Sequence, residues 1–333
     1  MMFDPNSGVP KYKQIAQKVI EDIEKGLLKV GEPLLSINEF SDEHEIARDT
    51  VEKAYKELRE KGIIKSIKGK GYYIESLETT EKLRVFLHFN KLSAYKKNVY
   101  DAFVSTLGEK ADTDIFIHHN DLQLFQTQLS KAIGYYTHYV IIPPYVESNE
   151  ASLPLIKKIP SKKLLLLDKW LPGFEQSACV FQNFETDIID ALTQGLKQLK
   201  RYRKLTLVFP KTKGYATEVM VGFTKFCSLY GFEFEIISEV QENKINSGKV
   251  FIVIDEEDLV KSIKVAKAKG LKLGKDIGLI SYNETLLKEI LADGITVIST
   301  QFEQMGITAA QMLLKGERNH VKNPFQLILR SSL

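Results

Sequence analysis

The sequence predicts an α/β protein with an amino-terminal winged helix-turn-helix and a larger domain of two doubly wound lobes. Three observations support this prediction. Residues 9–74 contain three helical apolar patterns, followed by two short strands that a basic turn joins. From residue 84 onwards, continuous apolar strands alternate with amphipathic helices, a pattern typical of parallel sheets covered on both faces. A length of 333 residues also favours two or three compact units over one.

Composition restricts the class of protein. Hydrophobic residues make up 44% of the chain and charged residues 27%, which is ordinary for a globular protein with sizeable cores. The two cysteines, Cys179 and Cys227, lie in apolar contexts without metal-ligand spacing, so we expect buried, reduced thiols. Residues 1–14 lack the apolar core of a signal peptide, and no run approaches 18 apolar residues. We therefore expect a cytoplasmic protein without a membrane span.

An apolar stripe and a capping signal predict the first two helices. Apolar residues at helical spacing indicate a first helix that ends near Gly26. Ser36 and Glu39 match a capping box, in which the serine hydroxyl and the glutamate satisfy each other's backbone amides. The second helix is therefore predicted to begin near Ile37 and to end near Glu43.

A third helix and a basic hairpin complete the winged pattern. Val51, Ala54, Tyr55 and Leu58 recur at helical spacing on one face, the opposite face carries long basic side chains, and Gly62 ends the helix. Strands are predicted at residues 63–67 and 72–74, joined by a Lys-Gly-Lys-Gly turn. In a winged helix-turn-helix such a helix enters the DNA major groove and the hairpin leans on the backbone. A three-helix protein-docking module is the alternative.

The charges of this part are segregated, because residues 61–73 contain four lysines and no acid. This distribution favours site-specific DNA binding that depends on docking geometry. Arg48 suits a bidentate contact with guanine, worth about 1–3 kcal/mol of discrimination. Four lysines suit phosphate contacts, each adding about one unit of salt dependence, although any one of them could be a solvated surface residue. They are Lys53, Lys65, Lys68 and Lys70.

Residues 9–74 resemble the DNA-binding domain of the GntR family of bacterial regulators. The matching residues span the whole module: Pro10, Tyr12, Gln14, Ile15, Ala16, Gly26, Gly31, Leu34, Ser36, Glu39, Arg48, Thr50, Val51, Ala54, Tyr55, Leu58, Gly62, Gly69, Lys70 and Gly71. The resemblance implies operator binding as a dimer. Asn38 stands where the family usually has arginine, and Ala47 where it has serine. The expected DNA-binding residues are Ser36, Asn38, Arg48, Asp49, Thr50, Lys53, Lys65, Lys68, Gly69, Lys70 and Gly71.

A polar stretch without periodicity separates this module from the rest of the chain. We place the winged helix-turn-helix at residues 1–75, a linker at 76–83 and the large domain at 84–333. The number of predicted strands suits two doubly wound lobes better than one sheet. The predicted strands are 84–89, 114–118, 139–142, 164–167, 178–181, 205–209, 233–237, 250–254, 277–281, 295–299 and 325–330.

Residues 276–306 resemble the effector domain shared by lactose-repressor-type regulators and periplasmic sugar-binding proteins. The similarity lies in Ile277-Gly278, Tyr282-Asn283, Thr296-Val297 and the Glu-x-Met-Gly sequence at 303–306. It implies two lobes joined by crossing strands, with a small ligand, most often a sugar, in the cleft. We expect lobe 1 at about 84–181 and 301–318, and lobe 2 at about 182–299 and 320–333. Ligand binding would then move the lobes and the DNA heads of a dimer.

Polar and aromatic residues just past the carboxyl ends of strands are the candidate effector ligands, because open α/β sheets bind ligands there. Asn283 ranks first, since it occupies the position of the Asp or Asn with which the resembled family binds a sugar hydroxyl. Any of the others could be an ordinary loop or capping residue. An arginine that relatives often carry after the strand at 205–209 is missing; Lys211, Lys213 and Tyr215 occupy that stretch. The candidates are Asn90, Tyr95, His118, His119, Asn120, Asp168, Gln182, Tyr215, Asp255, Asn283 and Gln301.

Enzymatic motifs and metal sites find little support in the sequence. His118 and His119 are adjacent on a predicted strand, so they point to opposite faces and make a poor metal site. Gly69-Lys70-Gly71 lacks the context of a dinucleotide or phosphate site, and Gly-x-Ser-x-Gly does not occur. The two resemblances together imply a dimeric, sugar-responsive transcriptional repressor of a carbohydrate-utilisation operon, without enzymatic activity, metal or cofactor. The alternative is a sugar-modifying enzyme fused to a DNA-binding head.

Overall fold

A computed structural model of the chain describes residues 10–76, 82–144, 152–210 and 214–333. The chain divides into two compact units, Met1–Lys82 and Leu83–Leu333. The boundary between them falls within the predicted linker at 76–83, of which residues 77–81 lie outside the described part of the chain.

The amino-terminal unit is a winged helix-turn-helix, as predicted. Its elements are α1 (Lys11–Glu24), β1 (Pro33–Leu34), α2 (Ile37–His44), α3 (Arg48–Glu60), β2 (Ile64–Ile67) and β3 (Gly71–Ile74). The three strands form an antiparallel sheet in the order β1-β3-β2, in which β2 and β3 are the hairpin of the wing. The apolar face of α3 lies at the centre of the core, where Val51, Ala54, Tyr55 and Leu58 are buried.

The start of α2 shows the predicted capping box. The Ser36 hydroxyl accepts a hydrogen bond from the Glu39 amide at 3.2 Å, and the Ser36 amide donates to the Glu39 carboxylate at 2.8 Å. This backbone amide lowers the pKa of Glu39 because it stabilises the ionised form. The capping box, a local sequence signal, therefore determines where the second helix starts. Helix α3, in contrast, begins after Ala47 without a side-chain cap.

The first lobe of the larger unit is a six-stranded parallel sheet in the order β14-β8-β7-β6-β4-β5. Helix α12 packs closely on α4, since a Cβ built on Gly306 would lie 2.3 Å from the Val99 carbonyl oxygen. The lobe contains β4 (Leu83–Phe89), α4 (Ala94–Leu107), β5 (Ala111–Ile117), α5 (Leu122–Ala132), β6 (His138–Ile141), α6 (Leu153–Ile156), β7 (Leu164–Asp168), β8 (Ala178–Phe181), α12 (Phe302–Lys315) and β14 (His320–Lys322).

The second lobe is also six-stranded, in the order β10-β9-β11-β12-β13-β15, and only β15 among these strands runs antiparallel. Its elements are α7 (Phe184–Gln194), α8 (Leu196–Leu199), β9 (Lys204–Val208), α9 (Glu218–Tyr230), β10 (Glu233–Ile237), β11 (Lys249–Val253), α10 (Glu256–Ala268), β12 (Gly278–Tyr282), α11 (Leu286–Ile290), β13 (Thr296–Thr300) and β15 (Phe325–Ile328). The mixed α/β architecture with two sheet-bearing lobes confirms the predicted fold class.

One boundary expected from the sequence is wrong. Residues 320–333 were placed in the second lobe as a whole, but β14 pairs in parallel with β8 of the first lobe. This strand was missed because it is three residues long and two of its side chains, His320 and Lys322, are polar and exposed. The crossing into the second lobe therefore occurs at residues 323–324.

Among the described residues, three chain segments cross between the lobes, and Asn323 contacts both of the other crossings. Its amide Nδ2 donates to Thr300 Oγ1 at 2.7 Å and to the Gln301 carbonyl oxygen at 2.9 Å. Its backbone amide donates to the carbonyl oxygen of Phe181, the last residue of β8, at 2.8 Å. Because Asn323 is buried and contacts both other crossings, the three segments are held together at one point.

Two further expectations concern burial and membranes. Cys179 and Cys227 are both free and buried, and burial raises the pKa of each thiol to about 12. Among the helices of the described residues, none combines the length and the apolar character needed to cross a bilayer.

Candidate functional site

A small cavity of about 60 Å³ lies between the two lobes of the larger unit. Small-molecule sites occur preferentially at interfaces of this kind, with apolar and aromatic walls and a few polar groups. The polar part of its wall comes largely from carboxyl ends of parallel strands, which meet at one edge of each sheet. Six of the predicted effector residues line it: Asn90, Tyr95, Asp168, Gln182, Tyr215 and Asn283.

Asp168 and Asn283 are placed by left-handed backbone turns at the ends of β7 and β12. Their φ angles are +74° and +63°, a region that Asp and Asn tolerate better than most residues. The Lys288 ammonium stabilises the second turn, because it donates to the carbonyl oxygens of Tyr282 at 3.2 Å and Asn283 at 2.7 Å. Burial lowers the pKa of this lysine. Lys288 therefore positions the Asn283 side chain at the cavity.

A buried ion pair forms one wall of the cavity. The Lys96 ammonium on α4 pairs with the Asp168 carboxylate, and each side chain is 4% exposed. The Gln182 amide Nε2 donates to the other carboxylate oxygen of Asp168. Because buried charges need a partner and hydrogen bonds, this arrangement gives the site a neutral, fixed group of polar atoms.

Several buried polar atoms of the cavity residues have no hydrogen-bond partner in the part of the chain that the structure describes. They are Asn90 Oδ1, Gln182 Oε1, Asn283 Oδ1 and the Tyr282 hydroxyl. Leaving such an atom unsatisfied costs about 1–3 kcal/mol, which a bound ligand with suitable groups would recover. Three of the four are carbonyl oxygens of amides, and these accept hydrogen bonds from hydroxyl or amine donors. The cavity is therefore suited to a ligand rich in donors.

Aromatic side chains from both lobes complete the cavity. Tyr95 and Phe302 of the first lobe pack against each other with tilted rings, 4.8 Å between centroids, and Phe184 and Tyr215 belong to the second lobe. The Lys91 ammonium lies 4.7 Å from the centre of the Tyr215 ring, so a cation contacts an aromatic ring across the cleft. Aromatic faces of this kind pack against the C–H surface of a sugar.

Five predicted effector residues do not line the cavity. His118, His119 and Asn120 follow β5, which is an edge strand of its sheet, so they lie away from the cleft. Asp255 caps α10 and accepts a hydrogen bond from the Tyr215 hydroxyl at 3.1 Å, which makes it a support behind a cavity residue. Gln301 lies in a crossing segment.

His118 is enclosed by protein. Its Nε2 lies 3.0 Å from the Ile142 carbonyl oxygen, and its ring contacts His88 and Phe125 edge-on. Burial lowers the pKa of His118 to about 4. The imidazole is therefore neutral at physiological pH and belongs to the core of the lobe.

Sequence reasoning missed several cavity residues. Lys91 and Tyr282 are adjacent in sequence to the predicted Asn90 and Asn283. A prediction that also included the residues next to each strand end would have contained them. Lys96 and Phe302 lie in the first turns of α4 and α12. No local pattern distinguishes an inward-facing lysine of a helix from an exposed one, and Lys96 became apparent only in the structure.

The expected DNA-binding residues lie on two elements of the amino-terminal unit. Arg48, Asp49, Thr50 and Lys53 occupy the first turns of α3, where all but the half-buried Thr50 are exposed. Asn38 is exposed on the first turn of α2, whereas the Ser36 hydroxyl is engaged in the capping box.

The wing carries the other expected DNA-binding residues. Lys65, Lys68 and Lys70 are exposed, and Gly69 and Gly71 have φ angles of +77° and +102°. These angles favour glycine, and the absence of side chains leaves the hairpin tip able to approach a flat surface closely. The unit thus presents an exposed helix start and a basic hairpin, which are the two contact elements of winged helix-turn-helix proteins.

Both units match known families. Residues 11–74 match the bacterial regulatory proteins of the gntR family, and residues 194–333 match the periplasmic binding protein-like domain. The HTH-type transcriptional repressor YtrA of Bacillus subtilis (strain 168) is 42% identical over 81 residues, 24% of this chain. That match spans 62% of YtrA, which is less than two thirds of its length.

Other similar proteins match a larger share of the chain. The arabinose metabolism transcriptional repressor of Geobacillus stearothermophilus is 23% identical over 341 aligned positions, covering 92% of this chain and 91% of that protein. The structure of the dimeric Lac repressor with an 11-residue carboxy-terminal deletion has a TM-score of 0.61 and 14% identity. It covers 75% of this chain and 98% of the repressor, which shows a shared fold.

Proposed function

Since residues 11–74 belong to the GntR family of bacterial regulatory proteins and residues 194–333 are a periplasmic-binding-protein-like domain, we propose that the chain is a ligand-responsive transcriptional repressor. Its operator is DNA, its effector is a small sugar-like molecule, and its target is a carbohydrate-utilisation operon in the cytoplasm. The observation that carries the proposal is the combination of a DNA-binding family domain with an interlobe cavity that contains unpartnered polar atoms.

The effector joins the two lobes when it binds. Asn90 and the Lys96–Asp168 pair contact it from the first lobe, and Tyr215 and Asn283 contact it from the second. A ligand that touches both lobes stabilises their closed arrangement relative to an open one, and its effect equals its differential affinity for the two states. The crossings tied by Asn323 act as the pivot of this motion. In a dimer the motion changes the spacing of the two DNA-binding domains.

DNA is bound through the α3 start and the wing. Arg48 reads a base edge in the major groove, and the lysines of the β2–β3 hairpin contact phosphates. The relatives that support this assignment are named as transcriptional repressors, YtrA and the arabinose metabolism repressor among them. A regulator of this kind binds its effector and leaves it unchanged. Incubation with each bound sugar tests this point, since any catalytic consumption would contradict it.

The assembly is a homodimer in which α11 contributes an apolar contact. Leu286, Leu287 and Ile290 on this short helix are 83%, 72% and 76% exposed. Contiguous apolar side chains of this size are uncommon on the surface of monomers and mark interaction sites. A second copy of the chain would cover them and bring two DNA-binding domains to two operator half-sites. The dimeric Lac repressor, which has the same fold, supports this arrangement.

The test is a coupled measurement on the full chain. A random double-stranded DNA library selects the operator, and fluorescence anisotropy measures its affinity with and without candidate sugars. A sugar that stabilises the protein in thermal unfolding, by about 2.7 kcal/mol at 100 times its dissociation constant, should also change operator affinity. The Asn283→Ala variant should lose the sugar response and keep DNA binding. Selection of no sequence from the library would refute the proposal.

A further inference from the structure

The charged side chains of the interlobe cavity give it a net positive charge. Within residues 10–76, 82–144, 152–210 and 214–333, the charged side chains of its wall are Lys91, Lys96 and Asp168. The Lys96–Asp168 pair is internally neutral, so Lys91 supplies a net positive charge. Within the described residues, its ammonium contacts the rings of Tyr95 and Tyr215, and no carboxylate forms an ion pair with it. Among the residues that the structure describes, the cavity therefore presents a cation that is not paired with a carboxylate.

Helix dipoles add to this positive potential. The first turns of α4 and α9 contribute Tyr95 and Val219 to the cavity wall, and the first residues of α7 and α12 are Phe184 and Phe302. Four helix amino termini thus converge on one cavity. A helix amino terminus carries about half a positive elementary charge, and α9 and α12 have no side-chain cap. An anionic group is stabilised at such a place.

The unpartnered amide oxygens specify the rest of the ligand. Asn90 is 3% exposed and Gln182 is 7% exposed, and the carbonyl oxygen of each lacks a hydrogen-bond donor. Both residues line the cavity, and an amide oxygen accepts hydrogen bonds from donors such as hydroxyl groups. The only carboxylate among the described cavity residues is already neutralised by Lys96, so it does not repel an anion as an isolated charge would.

We propose that the effector is an anionic polyol, a sugar phosphate or a sugar acid, whose charged group pairs with the Lys91 ammonium. Its hydroxyls donate to Asn90 and Gln182. This inference rests on the proposed function, because it assumes that the cavity binds an effector. Lys91 lies over the Tyr215 ring of the opposite lobe, so the anion binds where the lobes meet. Charge recognition is thereby coupled to lobe closure.

The test compares neutral sugars with their anionic counterparts by isothermal titration calorimetry on the full chain. The probe pairs are D-glucose and D-glucose 6-phosphate, D-galactose and D-galacturonate, and L-arabinose and L-arabinose 5-phosphate. An anionic member should bind at least about 10-fold more tightly than its neutral parent, since a hydrogen bond to a charged group is worth about 1.5–3 kcal/mol. The phosphate and acid pairs distinguish the two sources of the anion.

Variants at Lys91 and at an exposed lysine of α4 test whether the Lys91 ammonium binds the anion. Lys91→Met should weaken binding of the anionic probe about 10- to 100-fold, and Lys91→Arg should retain most of it. Lys97→Met is the matched control, because Lys97 is an exposed residue of α4 that pairs with Asp101 outside the cavity. It should bind as the parent protein does.

The possible outcomes distinguish failure of the anionic-effector inference from failure of the proposed function. Tighter binding of a neutral sugar than of its anionic partner would overturn the anionic effector and leave a sugar-responsive regulator in place. Equal anion affinity for Lys91→Met and the parent protein would overturn the role of Lys91. If every probe fails both to bind and to change operator affinity, the sugar-responsive function itself is overturned, and this inference with it.

Discussion

Removal of one charge from the buried Lys96–Asp168 pair should destabilise the first lobe strongly. Lys96→Met keeps the length and approximate volume of the side chain and deletes only the ammonium. Asp168 then keeps the hydrogen bond from Gln182 but loses its cation in an environment where its side chain is 4% exposed. The variant therefore leaves a negative charge on a side chain that is almost completely buried.

The size of the effect follows from this burial. Breaking a buried ion pair by removing one partner costs about 3–5 kcal/mol, because the remaining charge is uncompensated. Removing both charges in the Lys96→Met/Asp168→Asn double variant should restore the free energy of unfolding to within about 1–2 kcal/mol of the parent. The control Lys97→Met breaks an exposed pair with Asp101 and should cost no more than about 0.5 kcal/mol.

Urea unfolding followed by tryptophan fluorescence measures these values. Trp170 is the single tryptophan of the chain and follows Asp168 by two residues, so its signal reports on the lobe that contains the ion pair. With a slope of about 2 kcal/mol per molar urea, a loss of 3–5 kcal/mol lowers the unfolding midpoint by about 1.5–2.5 M. A single variant as stable as the parent would refute the reasoning. A double variant as unstable as the single one would show that packing, rather than charge, causes the loss.

Three other predictions address DNA binding, assembly and pH. Arg48→Ala should weaken operator binding by about 1–3 kcal/mol in fluorescence anisotropy, whereas Arg59→Ala, at the far end of α3, should not; equal losses would contradict the base contact. Leu287→Glu should shift the dimer towards monomer in sedimentation velocity, and an unchanged dimer would place the interface elsewhere. Burial lowers the pKa of His88 to about 3 and of His118 to about 4, while the unfolded chain titrates near 6.5. The unfolded state therefore binds more protons below pH 6.5, and the free energy of unfolding should fall by about 2–3 kcal/mol from pH 7 to pH 5.5 in urea titrations. A constant midpoint would count against neutral, buried imidazoles.

The elements that could be predicted from the sequence are those determined by residues that lie close together in the chain. The capping box at Ser36 needs only residues three positions apart, and the apolar stripe of α3 repeats within one helix. Asp168 and Asn283 could be predicted to line the cavity because parallel strands place their carboxyl ends at one edge of a sheet, whatever the strand order.

The features that sequence reasoning missed depend on contacts between distant segments. His118 was predicted to face the effector, but β5 lies at the edge of the sheet, and strand order is not encoded in the strand itself. Lys96 reaches Asp168, a residue 72 positions away, and only packing of α4 on the sheet directs it inward. The strand β14 forms because β8 offers it a free edge.

The first lobe is built from separate stretches of the sequence, and this determines the order in which parts of the protein can fold during synthesis. The amino-terminal unit is continuous in sequence, so it can fold as soon as its residues leave the ribosome. The first lobe has to wait for α12 and β14, which are made after the second lobe, although Phe302 and Met305 belong to its core. We expect a nascent chain with a folded DNA-binding domain and an unfinished sensor. The exposed core of that lobe is then the part of the protein most in need of a chaperone.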